Sequence, residues 1–268
     1  MSTNKNRGGK GFVAGTLIGA LGGLVGVGGG EFRLPVLVGL FGVPTLKAII
    51  FNRCVSLFVI ITALVFRAGA IPPNQLAQHL DVPFNLLAGS LIGAWLAAGH
   101  ALTMPRQWLN RIIMVLLVGL ALLMLSEACF GMYFGAAPLF QNDVVRFIAG
   151  VICGFGIGAV VALLGVAGGE LFIPIIVLLY GLNIKLAGSL SLMVSLPTML
   201  VDLARYSRSD AFGVLGEERL LFRCMVAGSI VGAVLGGMLL GLVPTNALLW
   251  LLGIMLLVSA FKTFQACH

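Results

Sequence analysis

The sequence predicts an all-α fold, a polytopic transmembrane helical bundle, on two observations. The first is composition: 60% of the 268 residues are hydrophobic and 9% are charged, with a mean hydropathy of +1.12. Soluble domains carry about 25% charged residues. The second is the length of the apolar runs, several of which reach the ~20 residues that a helix needs to cross the hydrocarbon core. We therefore expect a multi-pass protein of the cell membrane, embedded in the lipid bilayer.

Ten apolar segments predict the individual helices. They lie at residues 11–28, 31–43, 47–67, 84–103, 110–130, 144–165, 170–182, 185–205, 220–241 and 246–264. The second and seventh segments are about 13 residues long. At ~1.5 Å per residue each reaches only ~20 Å, short of the ~30 Å core. We expect these two to be half-helices, broken or re-entrant within the membrane.

Composition also excludes several classes of function. The formal charge of +7 comes from basic residues dispersed between apolar runs, whereas a nucleic-acid partner would need them clustered on one face. The five cysteines are scattered, and the three histidines have no companion at metal-ligand or catalytic spacing. We expect no enzymatic activity, no cofactor, no bound metal and no nucleic acid.

A glycine-rich motif that occurs twice organises the chain. The stretch VGGGEFRLP at residues 27–35 returns, 139 residues later, as VAGGELFIP at residues 166–174. The same offset relates the VSL tripeptides at 55–57 and 194–196. The sequence therefore predicts a tandem duplication, with residues 1–142 as the first repeat and 143–268 as the second, together forming one transmembrane domain.

The distribution of basic residues predicts the topology. If the N-terminus is inside and every segment carries the chain across, eleven Lys and Arg residues fall on the inside and three on the outside. Cytoplasmic loops collect such residues, so both termini are predicted to be cytoplasmic. Each half contributes five segments, an odd number, so the second half enters from the opposite side. The repeats are then inverted, as in many secondary transporters.

The paired motif is the predicted binding site. Irregular backbone is tolerated in a membrane only where it faces protein or a water-filled cavity. Glycine lets a ligand approach the backbone closely, and the N-terminus of the following half-helix favours anions. We expect an anion near the midplane on five motif glycines, Gly28, Gly29, Gly30, Gly168 and Gly169. The structural alternative, a kink and a close helix crossing, stays open.

Polar side chains after each motif supply further candidate ligands. Arg53 offers a planar head with several donors, suited to an oxyanion, and Asn52 is its neighbour. The alternative for Arg53 is a structural ion pair with a motif glutamate. Ser56, Ser191 and Ser195 are weaker candidates, because helical serines often bond to their own backbone.

The motif glutamates have two interpretations. Glu31 and Glu170 either stabilise the first turn of each half-helix or titrate and couple anion movement to protons, with sodium as the other coupling ion. Arg33 breaks the symmetry, since its counterpart is Phe172. Buried cations in membranes are usually paired or face a cavity, so Arg33 is expected to do one or the other.

The duplicated motif, each copy followed by a short apolar run and Gly42 or Gly181, resembles the TauE/SafE family of sulfite-exporter-like transporters, also described as the sulfonate uptake permease superfamily. The resemblance implies a secondary transporter of a small sulfur oxyanion or organosulfonate that works by alternating access. An anion channel with the same constriction is the alternative. The family's motif glycines correspond to those named above, with Ala167 replacing one of them. The small-polar pattern that follows matches residues 188–192 and departs at residues 50–54. A homodimer is left open.

Overall fold

The computed structural model describes residues 2–100, 106–131, 138–164, 168–206, 216 and 218–265. Every element in this part of the chain is helical, so the predicted all-α bundle is confirmed. The elements are α1 (Ser2–Val25), α2 (Gly30–Pro35) with a π-helical turn (Val36–Leu40), α3 (Thr45–Arg67), α4 (Pro73–Gln78), α5 (Asp81–His100), α6 (Arg106–Phe130), α7 (Asp143–Leu164), α8 (Gly169–Tyr180), α9 (Ile184–Tyr206), α10 (Arg219–Leu239) and α11 (Thr245–Gln265).

Five helices of the described chain, α1, α3, α7, α9 and α10, are long and apolar enough to cross a membrane. Three others, α5, α6 and α11, have 20, 25 and 21 residues and contain shorter apolar stretches. Large apolar side chains such as Trp95, which is 73% exposed, cover the outer surface. An apolar exterior over buried polar groups suits a lipid environment.

The half-helix predicted at residues 31–43 is divided into two. α2 ends at Pro35, and the chain continues as a π-helical turn that closes with the Phe41 N–H on the Val36 carbonyl, at 3.3 Å. Proline lacks the N–H that would continue the α-helical ladder, and the hydrogen bonds after Pro35 have the wider π spacing. In the second half, α8 keeps α-helical geometry through Pro174 and ends before Gly181, whose φ is 67°.

Two further elements differ from the prediction. α1 begins at Ser2, well before residue 11, and Arg7 in this extension donates from Nη2 to the Phe41 carbonyl at 2.9 Å. α4 lies where no helix is predicted, and Pro73 begins it, a position at which the missing N–H costs nothing.

Contacts at the helix ends define two ends of the bundle. The first, which we call the Arg7 end, contains Arg7 and Phe41, the residue that follows the π-helical turn. The second, the Arg67 end, holds the close of α3, where Arg67 Nη2 donates to the Lys185 carbonyl at 2.7 Å. α8 also finishes at the Arg67 end, because Tyr180 accepts from Asn85 Nδ2, near the start of α5, at 2.6 Å. The half-helices therefore end at opposite ends of the bundle.

Helix packing repeats with the offset of the motif. α1 packs on α10 and α7 packs on α5 through glycines. A Cβ on Gly15 would lie 2.5 Å from the Met225 carbonyl oxygen, and one on Gly154 would lie 2.4 Å from that of Leu86. Each residue of the second contact is 139 positions from its counterpart in the first. Small residues give such close backbone approach between membrane helices.

The two predicted repeats therefore pack on each other in corresponding ways: α1 of the first packs on α10 of the second, and α7 of the second packs on α5 of the first. Because α10 and α11 follow α9 across the bundle in turn, the described chain begins and ends at the Arg7 end. The boundary at residue 142 stays a prediction, and residues 132–137 of the connecting segment lie outside the described chain. Which end of the bundle faces the cytoplasm also stays a prediction.

Candidate functional site

The two glycine motifs meet inside the bundle. A Cβ on Gly169 would lie 3.2 Å from the Cα of Val27, so the start of α8 packs against the turn that precedes α2. Gly29 and Gly168 precede the two helices with φ values of 67° and 69°, a left-handed conformation that favours glycine. Since α2 and α8 start side by side and end at opposite ends of the bundle, both N-termini are directed at one place.

A small cavity lies where the motifs meet. It is lined by Val27, Gly28, Gly29, Gly30, Glu31, Phe32, Gly169, Glu170 and Met255. Its volume is about 10 Å³, close to the minimum that holds one water molecule. Four of the five predicted motif glycines line this cavity, and the fifth, Gly168, directly precedes Gly169 in the chain. A sulfite-sized anion, with four heavy atoms, needs a larger space.

Both motif glutamates contact one serine of α11. The Oγ of Ser259 lies 2.6 Å from Glu31 Oε2 and 3.2 Å from Glu170 Oε2, which places these carboxylate oxygens within about 6 Å of each other. Ser259 and Glu170 are buried, and Glu31 is partly buried. Sequence reasoning missed Ser259, because a single serine in an apolar helix usually bonds to its own backbone.

Arg33 is completely buried, and neutral side chains hold its guanidinium group. Nη1 donates to Ser56 Oγ at 2.8 Å and to Asn52 Oδ1 at 3.3 Å, and Nη2 lies 3.5 Å from Ser229 Oγ. Nε has no acceptor among the described residues. Asn52 and Ser56, both predicted anion ligands, thus bind Arg33 in this arrangement. Their role as substrate ligands stays a prediction.

The other predicted ligands lie away from the cavity lining. Arg53 is 1% exposed and follows Asn52 on α3, so it points to another face of that helix. Ser191 Oγ lies 2.8 and 2.9 Å from the carbonyl oxygens of Gly26 and Gly188 and can donate to either one. Ser195 is buried, and its Oγ has no partner within the described ranges. Substrate binding by these three residues stays a prediction.

Arg67 is a third fully buried arginine, after Arg33 and Arg53, and it is the last residue of the segment predicted at 47–67. Its Nη1 donates to the carbonyls of Gly23 and Leu24 at 2.9 and 2.8 Å, and its Nε donates to Ser189 Oγ at 2.9 Å. Gly23 and Leu24 belong to the last turn of α1, where carbonyls lack helical partners and the dipole favours a cation. Arg67 therefore joins α1, α3 and α9 beside the first glycine turn.

The two ends of the bundle are unequal. At the Arg7 end, Nη2 of Arg7 contacts both the Phe41 carbonyl and the Glu218 carboxylate, at 2.9 and 3.4 Å. The residues 139 positions later, Arg146 and Tyr180, do not form the same contact, because Arg146 pairs with Asp143. A cavity of about 500 Å³ occupies the space between them. Its lining is Asp81, Phe84, Asn85, Ala88, Asp143, Arg146, Phe147 and Tyr180.

Comparison with known proteins identifies a family. A family model described as "Sulfite exporter TauE/SafE" matches residues 12–263. The match includes both glycine motifs, both half-helices and Ser259. No curated protein and no solved structure matches the chain significantly.

Proposed function

We propose that this chain, which belongs to the TauE/SafE sulfite exporter family, is a secondary transporter that moves a small sulfur oxyanion or organosulfonate by alternating access. Family membership makes it a membrane transporter of sulfur compounds; the binding site, the mechanism and the coupling are the finer parts of this proposal. The observation that supports them is the meeting of two oppositely directed half-helices at one cavity.

The anion binds at the paired half-helix N-termini. α2 and α8 begin at Gly30 and Gly169, and the N-cap residue of each is a glycine that makes no side-chain cap hydrogen bond; the first N–H groups of a helix have no partner within the helix. Aligned peptide dipoles add partial positive charge there. The glycine walls let oxyanion oxygens reach these donors. Because the cavity has room for about one water, the anion enters only when the halves separate.

The inequality of the two ends supports alternating access. In this arrangement the Arg7 end is bridged, and the Arg67 end carries a cavity of about 500 Å³. In the opposite state, Arg146 closes on the end of α8 at Tyr180 while Arg7 releases Phe41. Rocking of one half against the other exchanges these states around a fixed site, as in other inverted-repeat transporters.

The Glu31–Ser259–Glu170 cluster supports proton coupling. A serine hydroxyl carries one proton and can donate to only one carboxylate at a time. The second contact becomes a hydrogen bond when its carboxyl group is protonated and donates to Oγ. Two contacts at 2.6 and 3.2 Å therefore suit one proton held between two carboxyl groups. Sodium is the alternative coupling ion, and stabilisation of the half-helices remains the structural alternative.

Uptake by purified protein in proteoliposomes tests the proposed function. We expect saturable uptake of at least one of labelled sulfite, sulfoacetate and taurine, because a site that closes after binding limits turnover. Protein-free liposomes are the control. Absence of flux and of binding for all three would refute the substrate class. Flux that does not saturate and ignores every coupling gradient would support the anion channel instead.

A further inference from the structure

Arg33 carries a positive charge into the bundle, and no carboxylate of the described residues pairs with it. Its side chain is fully buried, and its hydrogen-bond partners in the described chain are the neutral side chains of Asn52, Ser56 and Ser229. Its Nε has no acceptor there. Neutral dipoles reduce the cost of burying a guanidinium group but leave its net charge in place. Such a buried positive charge is expected to interact electrostatically with a negatively charged group nearby.

Arg33 lies close to the glycine backbone that lines the central cavity. Gly28, Gly29 and Gly30 line the cavity, and a Cβ on Gly29 would lie 3.6 Å from Nη2 of Arg33. Arg33 itself is not part of the lining. Electrostatic interactions in a protein interior are weakly screened, so the charge acts across this thin wall. A wall with larger side chains would hold the guanidinium group farther away.

The charges around the cavity show why an anion site needs Arg33. Glu31 and Glu170 both line the cavity, and a negative charge on either carboxyl group opposes the binding of an anion there. Arg33 offsets that charge, which leaves the helix N-termini to attract an anion. The second half supplies no such charge, because the counterpart of Arg33 is Phe172, also fully buried.

We propose that Arg33 is the positioning charge of the anion site, which acts through the glycine wall to make the glutamate-lined cavity accept an anion. This inference rests on the proposed transport function. Arg33 then raises the affinity of the site for anions although it does not line the cavity. Asn52, Ser56 and Ser229 then hold the guanidinium group in place.

Equilibrium binding of labelled sulfite to the purified full chain tests this inference. We expect Arg33→Gln to raise Kd by at least about tenfold, because the remaining negative charge repels the anion. Arg33→Lys keeps a positive charge while its buried ammonium group is protonated, so at mildly acidic pH its Kd should stay within about threefold of wild type. Phe172→Leu, at the equivalent position of the second half, is the matched control and should leave Kd unchanged. Equal Kd values for the Gln and Lys variants would overturn the inference.

A second pair of variants keeps Arg33 in place and cancels its charge. Ser229→Asp puts a carboxylate beside Nη2 of Arg33, whereas Ser229→Asn adds the same volume without charge. We expect the Kd of the Asp variant to exceed that of the Asn variant by about tenfold. Equal values for the two variants would overturn the inference even if Arg33→Gln does not fold. Failure of wild-type protein to bind or transport any of the three compounds would instead refute the proposed function.

Discussion

Ser259 places one hydroxyl proton between two carboxyl groups, and this limits how the pair can ionise. If both carboxyl groups are charged, one of the contacts at 2.6 and 3.2 Å brings two lone pairs together. A proton on one carboxyl group removes that conflict. The three side chains come from three helices, so the proposed movement of the halves would change these contacts directly. The residue-scale question is therefore whether the cluster exchanges a proton during transport.

Glutamine substitutions test proton exchange at the cluster. We expect Glu31→Gln and Glu170→Gln each to remove uptake driven by an imposed pH gradient while anion exchange at equal pH persists, because glutamine keeps the shape and cannot release a proton. Ser259→Ala should weaken the same response, and Ser259→Thr, which keeps the hydroxyl, is its control. The measurement is sulfite uptake into proteoliposomes with and without a pH gradient. Unchanged pH dependence in both glutamine variants would exclude the glutamates as proton carriers.

The sequence predicts those features of the site that depend on residues close together in the chain. The duplicated motif predicts the glycine turns and singles out Glu31 and Glu170 as the charged residues beside them. Ser259 and the contact of Arg33 with Ser229 depend on residues more than 190 positions apart in the chain. No local pattern marks such pairs, because they form only when the helices pack.

At the scale of helices, the bundle is held by glycine contacts that repeat in both halves. On α7, a Cβ on Gly158 would lie 2.1 Å from the carbonyl oxygen of Ser90, whereas one on Gly156 would meet nothing within 4 Å. The two glycines therefore differ in packing although they lie on the same helix. Backbone contacts of this kind cannot relax as a flexible side chain can, so they fix the distance between α5 and α7.

Alanine substitutions on α7 test this packing. We expect Gly158→Ala to lower the free energy of unfolding by about 1–3 kcal/mol, because the added methyl group overpacks the contact with α5. Gly156→Ala is the control and should be neutral or stabilise by up to ~1 kcal/mol, since alanine favours a helix. Thermal unfolding of the detergent-solubilised protein gives both values. Equal effects of the two substitutions would contradict the close packing of α5 on α7.

The helices themselves are well predicted from the sequence, and the interruptions less so. Long apolar runs give the spanning helices, and short ones after the motif give the half-helices, because burial in lipid is a local demand. The π-helical turn after Pro35 is not predicted, since the equivalent Pro174 leaves α8 regular. Arg67 is predicted at the end of an apolar segment, and its burial is not predicted. Its role depends on the end of α1, which the fold brings beside it.

At the scale of the whole molecule, the central claim is that two inverted motifs form one anion site. The half-helices start together, run to opposite ends of the bundle and share a cavity lined by both motif glutamates. The crossed packing of α1 on α10 and of α7 on α5 keeps this arrangement symmetric, while the two ends differ in their contacts. A homodimer and the orientation in the cell membrane stay predictions from the sequence.

Anomalous diffraction from crystals grown with selenite, a heavier analogue of sulfite, would locate the proposed anion site. We expect a selenium peak between the N-termini of α2 and α8, within about 4 Å of the first N–H groups of both helices, as expected for hydrogen-bonded oxyanions. Loss of that peak in Arg33→Gln crystals would link it to the charge behind the glycine wall. A peak only in the 500 Å³ cavity near Tyr180, or on one motif alone, would contradict the account.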